Sequence, residues 1–342
     1  MTRPALRIVR DDREETGPTP IGRRIRHALV CLDRTPDSEI CLPHAQMAAE
    51  AFGAALTLTH VMPSIPSGGS AAWRTDVLEW EIARRESDHY LAQARELLAS
   101  RVFPSVHSLV TQGLPADRIA STARDVSADL VVVAGQPTPG LHGHTIGATV
   151  QRLLETTRAS VLVVHGAEGA PPKNIVVPLD GSPRTESVLP SVIALARTYG
   201  SAVTLLHVVT ERSSAAVLTR PGDVMLAQQL TERLKDSADE YLRRVRTREL
   251  RELSDVRCVV RTRHDERRGL LELITQVGGD MIVLAAHGAT CDPSDAFGGV
   301  ASYVLEHARV PLLVLQDLAL PAELSESAPA RRPSGIRRRE DA

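Results

Sequence analysis

The stretch Met281–Leu315 carries the clearest chemical spacing in the chain: Ala285-Ala286-His287-Gly288, nine residues, then Gly298-Gly299. Small residues let backbone N–H groups come close to a ligand, and the start of a following helix favours an anion. The spacing fits a phosphate-binding turn, and it also fits a tight strand-to-helix connection. A carboxylate closing the strand Asn174–Asp180 belongs to the same candidate site, because ligands of open parallel sheets sit beyond the carboxyl ends of the strands.

Other candidates carry less. His142-Gly143-His144 places two imidazoles together without Cys, Asp or Glu at ligand spacing, so no metal site is expected. A nucleotidyl-transfer motif of the HxGH type would follow the first strand, and this one follows the fourth. Ser67-Gly68-Gly69-Ser70 resembles a pyrophosphatase loop but follows the second strand and lacks that loop's Asp, so it reads as a plain loop. His60 and His207 end equivalent strands and read as strand-end packing with one ring nitrogen satisfied by backbone. Glu39 and Glu186 sit at equivalent helix starts, where a carboxylate suits the dipole. No nucleophile–base–orienter set recurs in both halves, which argues against a dedicated hydrolase or transferase.

The elements that must position these residues follow from hydrophobic periodicity and punctuation. Strands are expected at His27–Asp33, Ala54–Val61, Ser105–Val110, Asp129–Ala134 and Val161–Val164. Helices are expected at Glu39–Phe52, Asp76–Leu98 and Pro115–Val126. The order then recurs. His27–Asp33 lies over Asn174–Asp180, and Ala54–Val61 over Ser201–Val208, at an offset of 147 (180 minus 33). Later the offset is 151: Asp129 matches Asp280, and Gly147 matches Gly298. Met281–Ala285 and Leu312–Leu315 are the last two strands, with a helix over Val300–His307 between them. Alternating strands and helices imply right-handed crossovers and an α/β fold of two repeated, open, Rossmann-like parallel-sheet domains.

The organisation expected is a disordered leader (1–24), a first domain (25–165), a short joint (166–172), a second domain (173–316) and a disordered Arg/Pro/Ser-rich tail (317–342). Forty basic against 42 acidic residues give no electrostatic case for nucleic acid or an anionic membrane as partner. The four cysteines are scattered without a CxxC pair, and no stretch reaches the roughly 18 apolar residues of a membrane span. A reducing, cytoplasmic setting is the expectation.

These residues resemble a tandem universal stress protein. The carriers are Val176-Val177-Pro178-Leu179-Asp180-Gly181-Ser182, its counterpart Leu29-Val30-Cys31-Leu32-Asp33, the strand endings His60-Val61 and His207-Val208, and the glycine loop. ATP-binding members of that family carry G-x2-G-x9-G-[ST] after the fourth strand. Here the second half reads Ala285-x2-Gly288-x9-Gly298-Gly299, and the first reads Ala134-x2-Pro137-x9-Gly147-Ala148.

The resemblance implies the adenine nucleotide alpha hydrolase-like fold and an adenine nucleotide ligand, ATP or a less charged adenylate, with or without Mg²⁺. In the second half the implied binding residues are Pro178, Asp180, Val208, Ala285, Gly288, Gly298, Gly299 and Val300. In the first they are Asp33, Val61, Gly140, Gly143, Gly147 and Ala148, a weaker set because Pro137 lacks an N–H donor. Ala285 replaces the first glycine and Gly299 the Ser/Thr, which removes one hydroxyl ligand. Asp292 and Asp295 lie inside the loop. A carboxylate about 4–6 Å from a phosphate oxygen costs about 3–4 kcal/mol at a dielectric near 20, while a helix N-terminus returns about 0.3–1 kcal/mol. A triphosphate is therefore disfavoured relative to a less charged adenylate unless Mg²⁺ bridges the charges or these side chains turn outward. The resemblance also implies a protein partner and a homodimer paired through the last strands. The expected mode of action is ligand-dependent conformation or partner docking. The alternatives are a nucleotide-independent scaffold and slow ATP hydrolysis or autophosphorylation.

Overall fold

The computed structural model of the protein describes residues 24–64, 73–99, 105–135, 146–166, 171–210, 221–289 and 297–316. The leader, the tail, Ser67–Ser70, the segment with Pro137, Gly140, His142, Gly143 and His144, and the aspartates Asp292 and Asp295 lie outside the described residues.

The first half runs β1 (His27–Cys31), α1 (Pro36–Glu39), α2 (Cys41–Phe52), β2 (Ala55–Met62), α3 (Trp73–Ala99), β3 (Val106–Gln112), α4 (Pro115–Asp125), β4 (Leu130–Ala134), α5 (Ala148–Thr156) and β5 (Ser160–Val164). The second half repeats it: β6 (Asn174–Pro178), α6 (Pro183–Glu186), α7 (Leu189–Tyr199), β7 (Ala202–Thr210), α8 (Pro221–Glu249), β8 (Val256–Arg263), α9 (Glu266–Gln276), β9 (Met281–Ala285), α10 (Gly299–His307) and β10 (Leu312–Leu315).

The sequence reading placed one helix at Glu39–Phe52, and the structure breaks it into α1 and α2 at Ile40. Pro43 has no N–H to donate to the Glu39 carbonyl, so an uninterrupted helix would lose a bond there. Pro190 has the same relation to Glu186, and the same break separates α6 from α7. Each short helix is capped by a hydroxyl, Thr35 or Ser182, that accepts from a backbone N–H one turn on.

The ten strands form one sheet in the order β3-β2-β1-β4-β5-β10-β9-β6-β7-β8. Within each half every pairing is parallel. The halves join where β10 runs antiparallel to β5, with Leu312 opposite Val163 and Leu313 opposite Leu162. This corrects the expectation that the last strands serve homodimer pairing. They pair with each other inside one chain, so neither offers a free edge to a second copy. The sheet edges are β3 and β8 instead, and β8 carries Arg257, Arg261 and Arg263, charges that discourage edge-to-edge association.

Continuous apolar runs in the central strands require cover on both faces. One face is covered by α2, α3, α7 and α8, with Ala45, Leu91, Val192 and Leu242 in its core. The other is covered by α4, α5, α9 and α10, with Ile119, Leu153, Leu273 and Val304. Asp129 and Asp280, matched in the repeat, have matching work. Asp280 accepts from the N–H groups of Lys173 (2.8 Å) and Asn174 (2.9 Å), and Asp129 from that of Arg26 (2.9 Å). Each carboxylate thereby fixes the entry of its half's first strand.

The halves also touch through α2 and α7. The Tyr199 hydroxyl lies 2.6 Å from Glu50 Oε2 and 3.0 Å from the Met47 carbonyl. Its single proton goes to the nearer, charged acceptor. Tyr199→Phe is expected to lower stability by about 1 kcal/mol in urea unfolding; an unchanged midpoint would show that the bond contributes nothing net.

Candidate functional site

In each half the chain reverses direction in the sheet between the first and fourth strands, β1/β4 and β6/β9. A cavity opens at the carboxyl end of both pairs. In the second half it is lined by Pro178 and Asp180 after β6, Val208 of β7, Ala285 and Gly288 at the end of β9, and Gly298, Gly299 and Val300 at the start of α10. The structure therefore brings all eight second-half candidates to one cavity. The first-half cavity holds Asp33, Val61, Gly147 and Ala148, while Gly140 and Gly143 lie outside the described residues. It is the larger of the two, about 450 Å³ against 260 Å³, so size does not favour the second half.

Chemistry separates them. Asp180 Oδ1 accepts from the Ser182 N–H (2.9 Å) and the Thr185 hydroxyl (2.8 Å), and Oδ2 accepts from the Ala289 N–H (2.7 Å). One carboxylate thus ties the turn after β6 to the loop after β9. Burial works against its ionisation, but the hydrogen bonds from Ser182, Ala289 and Thr185 outweigh it and hold its pKa below the ordinary value. A β-carbon at Gly288 would collide with Asp180 Oδ2, so the small residue there clears space for the carboxylate. Asp33 accepts from Thr35, at N–H and hydroxyl, and its hydrogen bonds stay within its own turn instead of reaching the loop after β4. Position 181 is a glycine with φ +90°, and its first-half counterpart Arg34 holds the same left-handed conformation at φ +68°. A non-glycine residue pays for that conformation, which makes the first-half turn the more strained.

The loop after β9 is pinned at its base by the Gly298 N–H donating to the Ala286 carbonyl (2.7 Å). The first intrahelical bond of α10 runs from Ser302 N–H to the Gly298 carbonyl (2.9 Å), so the N–H groups of Gly299, Val300 and Ala301 precede it. Gly298 brings no side chain to cap them. Gly299, Val300 and Ala301 all line the cavity.

Sequence reasoning missed Thr185 and Glu266, which line the same cavity. A signal for Thr185 existed: a hydroxyl stands five residues after each aspartate, Ser38 after Asp33 and Thr185 after Asp180, and each accepts from that aspartate's N–H. Glu266 gives no local signal, because α9 reaches the cavity through the crossover. Burial and the nearby Asp180 charge raise its pKa above the ordinary 4.5. His60 and His207 behave as strand-end packing predicts, with Nδ1 2.8 Å from the Leu32 carbonyl and 2.7 Å from the Leu179 carbonyl. Glu186 does more than suit a helix dipole. It accepts from the Tyr241 hydroxyl (3.0 Å) and Arg248 (3.3 Å), fastening α6 to α8. Among the described residues no group of three or more His, Cys, Asp or Glu is placed to hold a metal ion. No helix among them is long and apolar enough to cross a membrane.

Comparison with known proteins gives a consistent answer for both halves. The model of the universal stress protein family matches residues 24–165 and 172–316. A universal stress protein of Mycolicibacterium smegmatis (strain ATCC 700084 / mc(2)155) is 25% identical over 303 residues, covering 84% of this chain and 96% of the relative. The crystal structure of a universal stress protein from Archaeoglobus fulgidus DSM 4304 has a TM-score of 0.58 at 13% identity, covering 85% of this chain and 98% of that one. A functionally unknown protein from Pseudomonas aeruginosa PAO1 has a TM-score of 0.61 at 14% identity, covering 85% and 92%. At these identities the structural likeness shows the fold.

Proposed function

We infer function from one premise: the chain belongs to the universal stress protein family in both halves. From it we propose a stress-response protein that binds an adenine nucleotide in the second-half cavity and acts through ligand-dependent conformation or partner docking. The carrying observation is that Pro178, Asp180, Val208, Gly288 and Gly298–Val300 meet around one cavity, at the N-terminal end of α10. Apolar Val208 and Leu206 offer a surface for a base, Asp180 an acceptor for a ribose hydroxyl, and the start of α10 a seat for phosphate.

Charge limits the phosphate count. Asp180 and Glu266 both line the cavity, and each additional phosphate charge would face both carboxylates. We propose an adenylate of low charge over Mg-free ATP. A second reading has its own observation: Asp180 already satisfies the Ala289 N–H, so the loop closes on the protein itself. That is how a nucleotide-independent scaffold would be built.

Calorimetric titration of the full chain with adenosine, AMP, ADP and ATP, with and without Mg²⁺, decides between them. Absence of binding by all four, in folded protein, leaves the scaffold.

The pH dependence of binding is a further test. Glu266 faces Asp180 and Asp265, which hold its proton on, and His207 and Arg267, which oppose them. A bound anion adds to the first group and raises the Glu266 pKa further. Binding should therefore take up protons and tighten as pH falls toward the Glu266 range above 4.5. The Glu266→Gln variant is expected to bind more tightly at neutral pH with a smaller pH slope; an unchanged slope would remove Glu266 from the site.

A further inference from the structure

We propose that Arg267 is the phosphate-recognising residue of the second-half cavity, standing in for the hydroxyl absent at position 299 and selecting a nucleotide with a single phosphate. This rests on the nucleotide reading above.

The geometry comes first. Gly299 lines the cavity; Arg267 is exposed and stands outside that lining, with its guanidinium against Gly299. A β-carbon built at 299 would stand 2.7 Å from Arg267 Nη2 and 3.4 Å from Cζ. A side chain at that position would press on the guanidinium, the free end of a long exposed side chain, which would have to move aside.

The repeat supports this reading. At the offset of 151, Arg267 corresponds to Ala116 and Gly299 to Ala148. Where the α4 residue is small, its α5 partner keeps a β-carbon; where the α9 residue is arginine, its α10 partner is glycine. Both residues occupy the first turns of their helices, α9 and α10, so the backbone frame is shared by the two halves.

Electrostatics then points to an anion. The N-terminus of α10 carries partial positive charge, and the guanidinium adds a full one beside it. Among the described residues no ion pair engages Arg267 within 4.0 Å. Asp265 is already committed, accepting from the N–H groups of Arg267 (2.9 Å) and Arg268 (3.2 Å) through one oxygen. Two adjacent positive ends repel, and a phosphate set between them relieves both. A guanidinium can meet phosphate oxygens in a bidentate fork, which a hydroxyl cannot. The same cavity holds Asp180 and Glu266. One cation and one helix start balance a single phosphate against those carboxylates, and leave further phosphates opposed.

The test titrates wild-type, Arg267→Ala and Arg267→Lys chains with adenosine, AMP and ATP, each variant first matched to wild type by thermal unfolding. Wild type is expected to prefer AMP to adenosine by about tenfold or more, as a charge-assisted bidentate contact would give, and to bind AMP no more weakly than Mg-free ATP. Arg267→Ala should lose that preference while its adenosine affinity stays at the wild-type value, and Arg267→Lys should recover only part of it. If adenosine and AMP weaken equally in Arg267→Ala, or if neither changes, Arg267 does not recognise phosphate and the proposal falls alone. If ATP binds wild type more tightly than AMP, the single-phosphate assignment is wrong. If wild type binds neither adenosine nor any adenylate, the nucleotide reading fails and takes this proposal with it.

Discussion

Leu162→Asp is expected to abolish cooperative folding of the whole chain. Leu162 lies opposite Leu313 in the antiparallel seam between β5 and β10, and both are about 1% exposed. An aspartate there must either bury an unpaired charge or stay protonated with its hydroxyl unsatisfied. Either outcome, added to the lost leucine contacts, costs more than about 4 kcal/mol. That is a large fraction of the roughly 5–15 kcal/mol that holds an ordinary domain folded. Leu109→Asp is the matched control, because Leu109 sits on the edge strand β3 at 41% exposure. It should shift the urea midpoint by no more than about 0.5 kcal/mol equivalent. Equal midpoints for the two variants would mean that the seam is a loose contact between independently stable halves. Two separate transitions in Leu162→Asp would say the same.

The second large effect belongs to Gly288 and Asp180. Gly288→Ala drives a methyl into the space of Asp180 Oδ2 and should break its bond to the Ala289 N–H, at a cost of about 1–3 kcal/mol. Asp180→Ala leaves the Ser182 and Ala289 N–H groups and the Thr185 hydroxyl without their acceptor, and should cost about 2–3 kcal/mol. The double variant distinguishes cause from coincidence. With the carboxylate gone, the alanine has nothing to strike, so Gly288→Ala in that background should cost less than about 0.5 kcal/mol. Additive losses would show that the glycine serves another purpose. The pH sign follows from the depressed Asp180 pKa. Its stabilisation is present above the unfolded carboxylate value and is lost as pH falls through the folded one, below 3.8. Wild type and Asp180→Ala should therefore converge in acid.

The internal repeat made the architecture readable. An aspartate just after the first strand, His-Val near the end of the second and a glycine before the last helix, Gly147 and Gly298, each recur in register, and the strands stand within two residues of where those marks put them. Met281–Ala285 and Leu312–Leu315 agree to the residue. The break between α1 and α2 was written in Pro43, whose missing N–H acts one turn upstream of the proline itself. The closing of β5 on β10 was not legible. A buried apolar strand looks alike whether its neighbour is another part of the chain or a second molecule, since side-chain periodicity reports faces and says nothing about edges.

The candidate site divides along the same line. Pro178, Asp180, Val208 and the glycines stand in local motifs, so spacing found them. Glu266 and Arg267 arrive from α9, 86 and 87 residues after Asp180 in sequence (266 and 267 minus 180), and neither carries a local mark. Only packing reveals that the guanidinium of an arginine from another helix lies on Gly299.

The seam between β5 and β10 has a consequence beyond stability. Two separate copies meeting edge to edge would be bound by symmetry: any substitution would appear in both cavities, and dilution would part them. Joined in one polypeptide, the halves meet at the effective concentration of a short tether, and dilution cannot separate them. Each position also exists only once. The turn at 181 can keep its glycine while its twin at 34 is arginine, and position 267 can be arginine while its counterpart 116 is alanine. Covalent fusion thus releases the pair from having to remain identical, and a division of labour between its cavities becomes open to it.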